Sequence, residues 1–387
     1  KLTQDTIKTM KYILTCLVFL LLFSSCNIYN TLRYGGLPTQ RDHTHFTQRK
    51  IENQLPIFNF IEPNKNYDLG NSIGLTNKSL SATNVTLDSF VKLHKTISFI
   101  IIRNDTILYK RYNKKYSGTS LVSSFSMAKP MVSTLIGIAI KEGKIESINS
   151  RMTDYLTEYK SYAGFDSITI KNLLQHTSGI KFGDGKFNLI FDNAKYYWGK
   201  NLREKLTKLT LKNPPNTEYH YSNANIQLLA LIIERVTKGS ISKYLETKIW
   251  KPLGMEAPAF WSLDSSKENN IEKAFCCLQA RSIDFAKFGR LYLNKGNWNG
   301  KQIISKEWVK QATQSDSKNN INRHFYNYNW GIGPLKYGSF YAVGLYGQYL
   351  YNYPKKNIQI VRFGGALISY NPNFWQDIFL QIIDQIN

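Results

Sequence analysis

The order in which strand-like and helix-like segments alternate limits this chain more than any other feature. Residues 96–102 are β-branched and apolar, Asn104-Asp105 is a turn pair, and residues 106–112 continue as a second strand, so this region reads as a hairpin. Helical patterns follow. Residues 126–140 are small and apolar and stop at Gly143, residues 170–175 end at Gly179, residues 225–237 stop at Gly239, and residues 283–293 end at Gly296. After Gly338 come three strand-like runs, 339–343, 349–353 and 358–363, and a helix over 374–386. Strands at both ends with helices between them predict an α/β fold of the α+β kind. An antiparallel sheet drawn from both chain ends is flanked by helices and carries a mainly helical lobe.

The first residues read differently. Lys1 is not an initiator, so residues 1–9 are expected to be upstream sequence and Met10 the first start. Lys11 supplies a basic region, and residues 13–23 form an apolar run too short to span a bilayer comfortably. Ser24, Ser25 and Cys26 follow. Small residues directly before a cysteine resemble the bacterial lipoprotein cleavage box, with Cys26 as the lipidated first residue of an exported mature chain held to a membrane by its lipid. A plain signal peptide with an incidental cysteine is the alternative. Residues 1–25 are therefore assigned to signal and upstream sequence, and 26–86, rich in Asn, Thr, Pro and Lys, to a tether and irregular N-terminal segment. The folded domain is expected over 87–387. Of the other cysteines, Cys16 lies inside the signal. Cys276 and Cys277 are neighbours, which rarely pair, so no disulfide is expected and both should sit in the core.

A formal charge of +23 raises the question of an acidic partner. No dense Lys/Arg run and no nucleic-acid motif accompanies it, so the excess reads as a solvated surface and no nucleic-acid partner is expected. No metal or other cofactor is expected: His43 and His45 form H-x-H without a further ligand nearby and read as linker residues.

The chemistry centres on Ser126-Met127-Ala128-Lys129, an S-x-x-K pattern that puts an amine on the same helix face as a hydroxyl. The pattern also occurs at Ser89, Ser178, Ser240 and Ser315, but only Ser126 precedes a long helix of small and apolar residues. A helix N-terminus favours a developing alkoxide, and a lysine buried there loses part of its preference for the charged form and becomes a base. Tyr221-Ser222-Asn223 directly precedes another apolar helix. The Tyr221 phenol is suited to proton transfer, and Asn223 to orienting Lys129 or substrate. A core tyrosine and a loop asparagine are the bland alternatives. Gly70-Asn71-Ser72-Ile73-Gly74 matches the nucleophile elbow G-x-S-x-G but has no preceding strand, and reads as tether.

S-M-A-K followed by Y-S-N resembles the class C β-lactamase and penicillin-binding-protein-like serine hydrolases. Leu173-Leu174-Gln175-His176-Thr177-Ser178-Gly179-Ile180, Pro252-Leu253-Gly254-Met255 and Asp284-Phe285-Ala286-Lys287-Phe288-Gly289 look like three further segments of that family, in the right order. The resemblance implies a serine β-lactamase-like fold, an acyl-enzyme on Ser126, Lys129 and Tyr221 as proton-handling partners, and His176 as a structural turn residue. It also implies an oxyanion hole from the backbone N–H groups of Ser126 and Gln348. The substrate pocket would include Leu345, Tyr346 and Gly347, with residues 326–330 and in particular Trp330 lining the acyl site. The chain departs from the family at Leu345, where a basic residue is usual, and at Pro130, which is expected to kink the first helical turn.

Without a cation at residue 345 a substrate carboxylate loses its partner. The reading favoured is a monomeric esterase or amidase acting on a small ester or amide. A D-alanyl peptidase or β-lactamase is the second reading and needs another cation, such as Arg362. A non-catalytic envelope-binding protein on a decayed hydrolase fold is the third.

Overall fold

The computed structural model describes Lys8, Thr9, Lys11, Tyr12 and residues 36–63, 67–76, 84–183, 192–316, 325–365 and 372–386. The apolar run at 13–23 and Cys26 lie outside the described residues. Among those described, no helix is long and apolar enough to cross a membrane.

In chain order the first half supplies β1 (Gln48–Ile51), α1 (Leu87–Leu93), β2 (Thr96–Arg103), β3 (Thr106–Tyr112), β4 (Leu121–Ser123), α2 (Lys129–Lys141) and α3 (Ile170–Leu174). Next come α4 (Asn223–Thr237), β5 (Ala259–Ser262), β6 (Leu278–Arg281) and α5 (Ser282–Leu293). The last part supplies β7 (Tyr326–Asn327), β8 (Trp330–Ile332), β9 (Phe340–Gly344), β10 (Gln348–Tyr353), β11 (Ile358–Gly364) and α6 (Pro372–Gln385).

The main sheet is antiparallel, in the order β7-β8-β9-β10-β11-β2-β3, so the late strands pair onto the early hairpin as expected. Asn104 and Asp105 turn the β2–β3 hairpin with φ of 49° and 62°, a left-handed geometry that short polar side chains tolerate. β2 is buried on both faces, which is why it reads as an unbroken apolar run. Phe99 and Ile101 face one core with Tyr349, Tyr351, α1 and α6, while Ile100 and Ile102 face the other with Leu350, Val361 and the helical lobe. Arg290 of α5 clamps the hairpin turn through two 2.7 Å bonds to the Asp105 carboxylate.

Three expectations are corrected. Part of the stretch assigned to tether is built into the fold: β1 opens a second antiparallel sheet, β1-β5-β6-β4, with Ile51 fully buried and Arg49 bonded to Glu272 at 2.7 Å. A four-residue strand with a single inward apolar residue carries no readable period. Cys276 and Cys277 are both buried, but they are joined as a vicinal disulfide, with Cys277 in the left-handed region at φ 71°. Pro130 lies in the first turn of α2, where its missing N–H has no helical partner to lose, so the helix runs on to Lys141.

Candidate active site

Strand β4 delivers the chain to Ser124, and Phe125 then takes a left-handed φ of 45° before a single 3-10 turn, Phe125–Ala128, leads into α2. A phenylalanine in that region is strained, and such strain persists where the surroundings over-determine it. The result stands Ser126 at the edge of a cleft, one turn ahead of the helix. Lys129 opens α2, is 1 % exposed, and reaches back so that Nζ lies 2.9 Å from Ser126 Oγ and 2.7 Å from the Phe275 carbonyl. Both neighbours are uncharged. Burial therefore drives the amine far below the ordinary lysine pKa, with no counter-charge to restore it. A neutral amine in this place accepts the Ser126 hydroxyl proton while donating to the Phe275 carbonyl.

Tyr221 borders the same cleft, remains 37 % exposed, and its ring centre lies 4.9 Å from Lys129 Nζ. Its position is set by His176. That residue is fully buried with φ 56°; its carbonyl accepts from His220 N at 2.8 Å, and its Nδ1 accepts from Ser222 N at 3.1 Å. With Nδ1 accepting, Nε2 carries the proton and donates to Asn329 Oδ1 at 3.0 Å. The imidazole also packs on the Tyr221 ring, 4.7 Å between centroids. His176 thus braces the loop, the structural place the resemblance implied. Asn223, the first residue of α4, lines the cleft but donates to Asn193 Oδ1 at 2.8 Å, not to the lysine.

The cleft encloses about 410 Å³. Tyr219, Tyr221, Tyr326, Tyr341, Phe125 and Phe325 supply its aromatic walls, Asn193, Asn223 and Asn329 its amides, and Pro38, Tyr197, Val343 and Leu345 much of the remainder. Among the described residues that line it, none is charged.

Several expected positions lie elsewhere. Trp330 is fully buried and stacked on Phe288 in the core; Tyr326 and Asn329 of the same stretch reach the cleft instead. Gln348 pairs with Gly344 across the β9–β10 ladder, and its buried side-chain amide bonds both backbone groups of Gly364; among the described residues Gly344 and Leu345 line the cleft and Gln348 does not. Gly344 makes the close approach: a Cβ there would stand 2.5 Å from Ser124 O and 3.2 Å from Ser126 N. Gly347 is required for another reason, since its Cβ would meet the Arg362 guanidinium at 2.5 Å. Tyr346 packs edge-on against Phe125 and donates its hydroxyl to the Pro38 carbonyl, just outside the cleft. Arg362 is 1 % exposed and spends its donors on Thr96, His94, Tyr346 and Gly347, with its face over Trp375 at 3.7 Å. It has no path to a substrate carboxylate. Ser89, Ser178 and Ser240 have structural places: within α1, bonded to Asn225, and capping the helix Ile241–Leu245.

Pro38, Asn193, Tyr219 and Tyr341 escaped the sequence reading. Tyr341 and Val343 alternate along β9 and Leu345 follows its end, a period-two signal that was present to be found. Pro38 and Asn193 reach the site only through tertiary folding.

Comparison with known proteins bears on the family and the fold. The chain is 23% identical over 288 residues to the 6-aminohexanoate-dimer hydrolase of Paenarthrobacter ureafaciens, covering 69% of this chain and 72% of that one. It is 25% identical over 191 residues to a Salmonella agona protein named as a D-alanyl-D-alanine carboxypeptidase, covering 43% of this chain and 44% of that one. Among solved structures, a Bacillus anthracis protein named for 6-aminohexanoate-dimer hydrolase superposes with a TM-score of 0.77 at 23% identity, covering 91% of this chain and 93% of that one. The Beta-lactamase family model matches residues 90–364, most of the chain, so this protein belongs to the beta-lactamase family of serine hydrolases.

Proposed function

We propose that the chain hydrolyses an uncharged ester or amide through an acyl-enzyme on Ser126. Neutral Lys129 takes the hydroxyl proton as Oγ attacks the carbonyl carbon, and Tyr221 passes a proton to the departing alcohol or amine. The oxyanion rests on the amide N–H of Ser126 and that of Leu345, which follows the close approach at Gly344. Water then attacks the acyl carbon and gives a proton to the Tyr221 phenolate, and Lys129 returns its proton to Ser126 Oγ as the acid leaves.

The observation that carries this reading is a fully buried amine 2.9 Å from a hydroxyl on a cleft in which no described lining residue is charged. The relative named as a D-alanyl-D-alanine carboxypeptidase favours a second reading, cleavage of a carboxylate-ended peptide. The engagement of Arg362 and the leucine at residue 345 weigh against it. We also propose, on the sequence alone, that Cys26 is lipidated after export.

Turnover of p-nitrophenyl acetate, of a neutral linear amide and of nitrocefin, wild type beside Ser126→Ala, tests the reading. Expected is ester or amide hydrolysis that falls at least about a thousandfold in Ser126→Ala. Undiminished turnover in that variant, or nitrocefin as the preferred substrate, overturns it.

A further inference from the structure

The vicinal cysteines stand one residue from a contact the mechanism needs. The Phe275 carbonyl accepts from Lys129 Nζ at 2.7 Å, Cys276 follows it, and Cys276 lines the cleft beside Ser126. Cys277 sits at φ 71°, which a non-glycine residue rarely adopts. The bond between the two adjacent cysteines closes a small ring at this point of the backbone. The ring is tied into its surroundings on both sides. Trp261 Nε1 donates to the Cys276 carbonyl at 2.8 Å, Ser262 N to the Cys277 carbonyl at 3.0 Å, and Ser124 N to the Leu278 carbonyl at 2.9 Å. The same short loop therefore touches the strand that leads to the nucleophile and the amine that activates it.

We infer that Cys276–Cys277 is a thiol–disulfide exchange site, open to small thiols through the cleft, whose oxidised form holds the Phe275 carbonyl in place against Lys129. This rests on the roles given to Ser126 and Lys129 above. In the reducing direction a small thiolate attacks Cys276 Sγ, the S–S bond breaks, and Cys277 leaves as a thiolate that takes up a proton. A second small thiolate resolves the mixed disulfide at Cys276. The balance is two small thiols oxidised to one disulfide and the protein disulfide reduced to two thiols. With the ring open, Cys277 relaxes toward negative φ and carries the Phe275 carbonyl away from the amine. Cys276–Cys277 acts through Lys129, so it is a positioning element.

The test uses the full chain in two states: oxidised with a small disulfide, and reduced with a thiol then freed of it under nitrogen. Alkylation and mass measurement give the thiol count of each, and thermal melting shows both folded. Expected is a Ser126-dependent acylation burst about tenfold slower in the reduced form, with KM within about twofold, and recovery on reoxidation. Cys277→Gly takes the left-handed backbone without a ring and should show no response to reductant. Equal burst rates in the two states overturn the inference and leave the Ser126 mechanism standing, as does a Cys277→Gly protein that still responds. Protein isolated without reductant whose two thiols resist closure overturns it as well. Turnover that survives Ser126→Ala removes the mechanism itself.

Discussion

Taking an ammonium group out of water costs several kcal/mol unless a counter-charge goes with it, and Lys129 has a hydroxyl and a carbonyl for company. Its protonated form is the one penalised, so the working form gains as pH rises through its lowered pKa. The acid limb of log(kcat/KM) should therefore belong to Lys129. It should vanish with the activity in Lys129→Arg, which cannot deprotonate, at a loss of at least about a thousandfold. Stability runs the same way. A lysine whose folded pKa lies below its unfolded value binds fewer protons when folded, so its burden is full at low pH and fades as pH approaches the unfolded value. Lys129→Met should accordingly be inactive yet melt about 2–4 °C higher at pH 7, with the gain shrinking toward pH 10. A variant that melts lower at pH 7 would show that the amine's two hydrogen bonds outweigh its desolvation. Gly344 is the other residue whose chemistry is fixed by space. A methyl group there meets the Ser124 carbonyl and the Ser126 amide, so Gly344→Ala should lose about a hundredfold in kcat while remaining folded by circular dichroism.

Among elements, legibility followed locality. The hairpin, α2, α4, α5 and the three late strands were readable because each carries its own period and its own stop. The S-x-x-K reach survived a local surprise: Ser126 stands on a 3-10 turn and only Lys129 begins the α-helix, yet the two groups still meet. What failed was register. Gln348 and Gly344 are paired across a turn, and no composition along the strand says which of them faces the nucleophile. The segment before β1 failed more completely, since its role is a matter of partners far away in sequence. Buried Asp42 accepts from Thr39 N at 2.7 Å and from the Tyr197 phenol at 3.0 Å, while Gln40 bonds Ser123 and Gly364. Through these bonds Pro38 is fixed as a wall of the cleft. Asp42→Ala leaves a buried phenol and an amide without their acceptor and should cost about 1–3 kcal/mol in urea unfolding. It should also raise KM more than it lowers kcat, since it loosens a wall and leaves Lys129 in place. A kcat loss at constant KM would place the segment in the chemistry instead.

Over the whole molecule, the chain carries a formal charge of +23 while none of the described residues lining the cleft is charged, and the two are separable. Salt screens the former within about 10 Å at 0.1 M and has little to act on in the latter. A neutral ester should therefore turn over at a rate that changes less than about twofold between roughly 0.02 and 0.5 M salt. A steep salt dependence would mean that surface charge steers the substrate. The same separation gives the proposed lipid at Cys26 a consequence for catalysis. Ten residues lead from Cys26 to Gly36, whose carbonyl accepts from Trp198, and that chain reaches at most about 35 Å when fully extended. Pro38, two residues on, is already cleft wall. A lipid at Cys26 would thus hold the mouth of a largely aromatic cleft, with no charge among its described lining residues, within a few nanometres of a bilayer, where neutral apolar esters concentrate. In cells, labelled palmitate should enter the wild type and not Cys26→Ala, and the variant should leave the membrane fraction. Purified wild type on vesicles should then cleave a long-chain ester dissolved in the bilayer faster than Cys26→Ala does, with equal rates on p-nitrophenyl acetate. Label in the variant would remove Cys26 as the anchor. Equal rates on the long-chain ester would leave the anchor and remove its bearing on substrate.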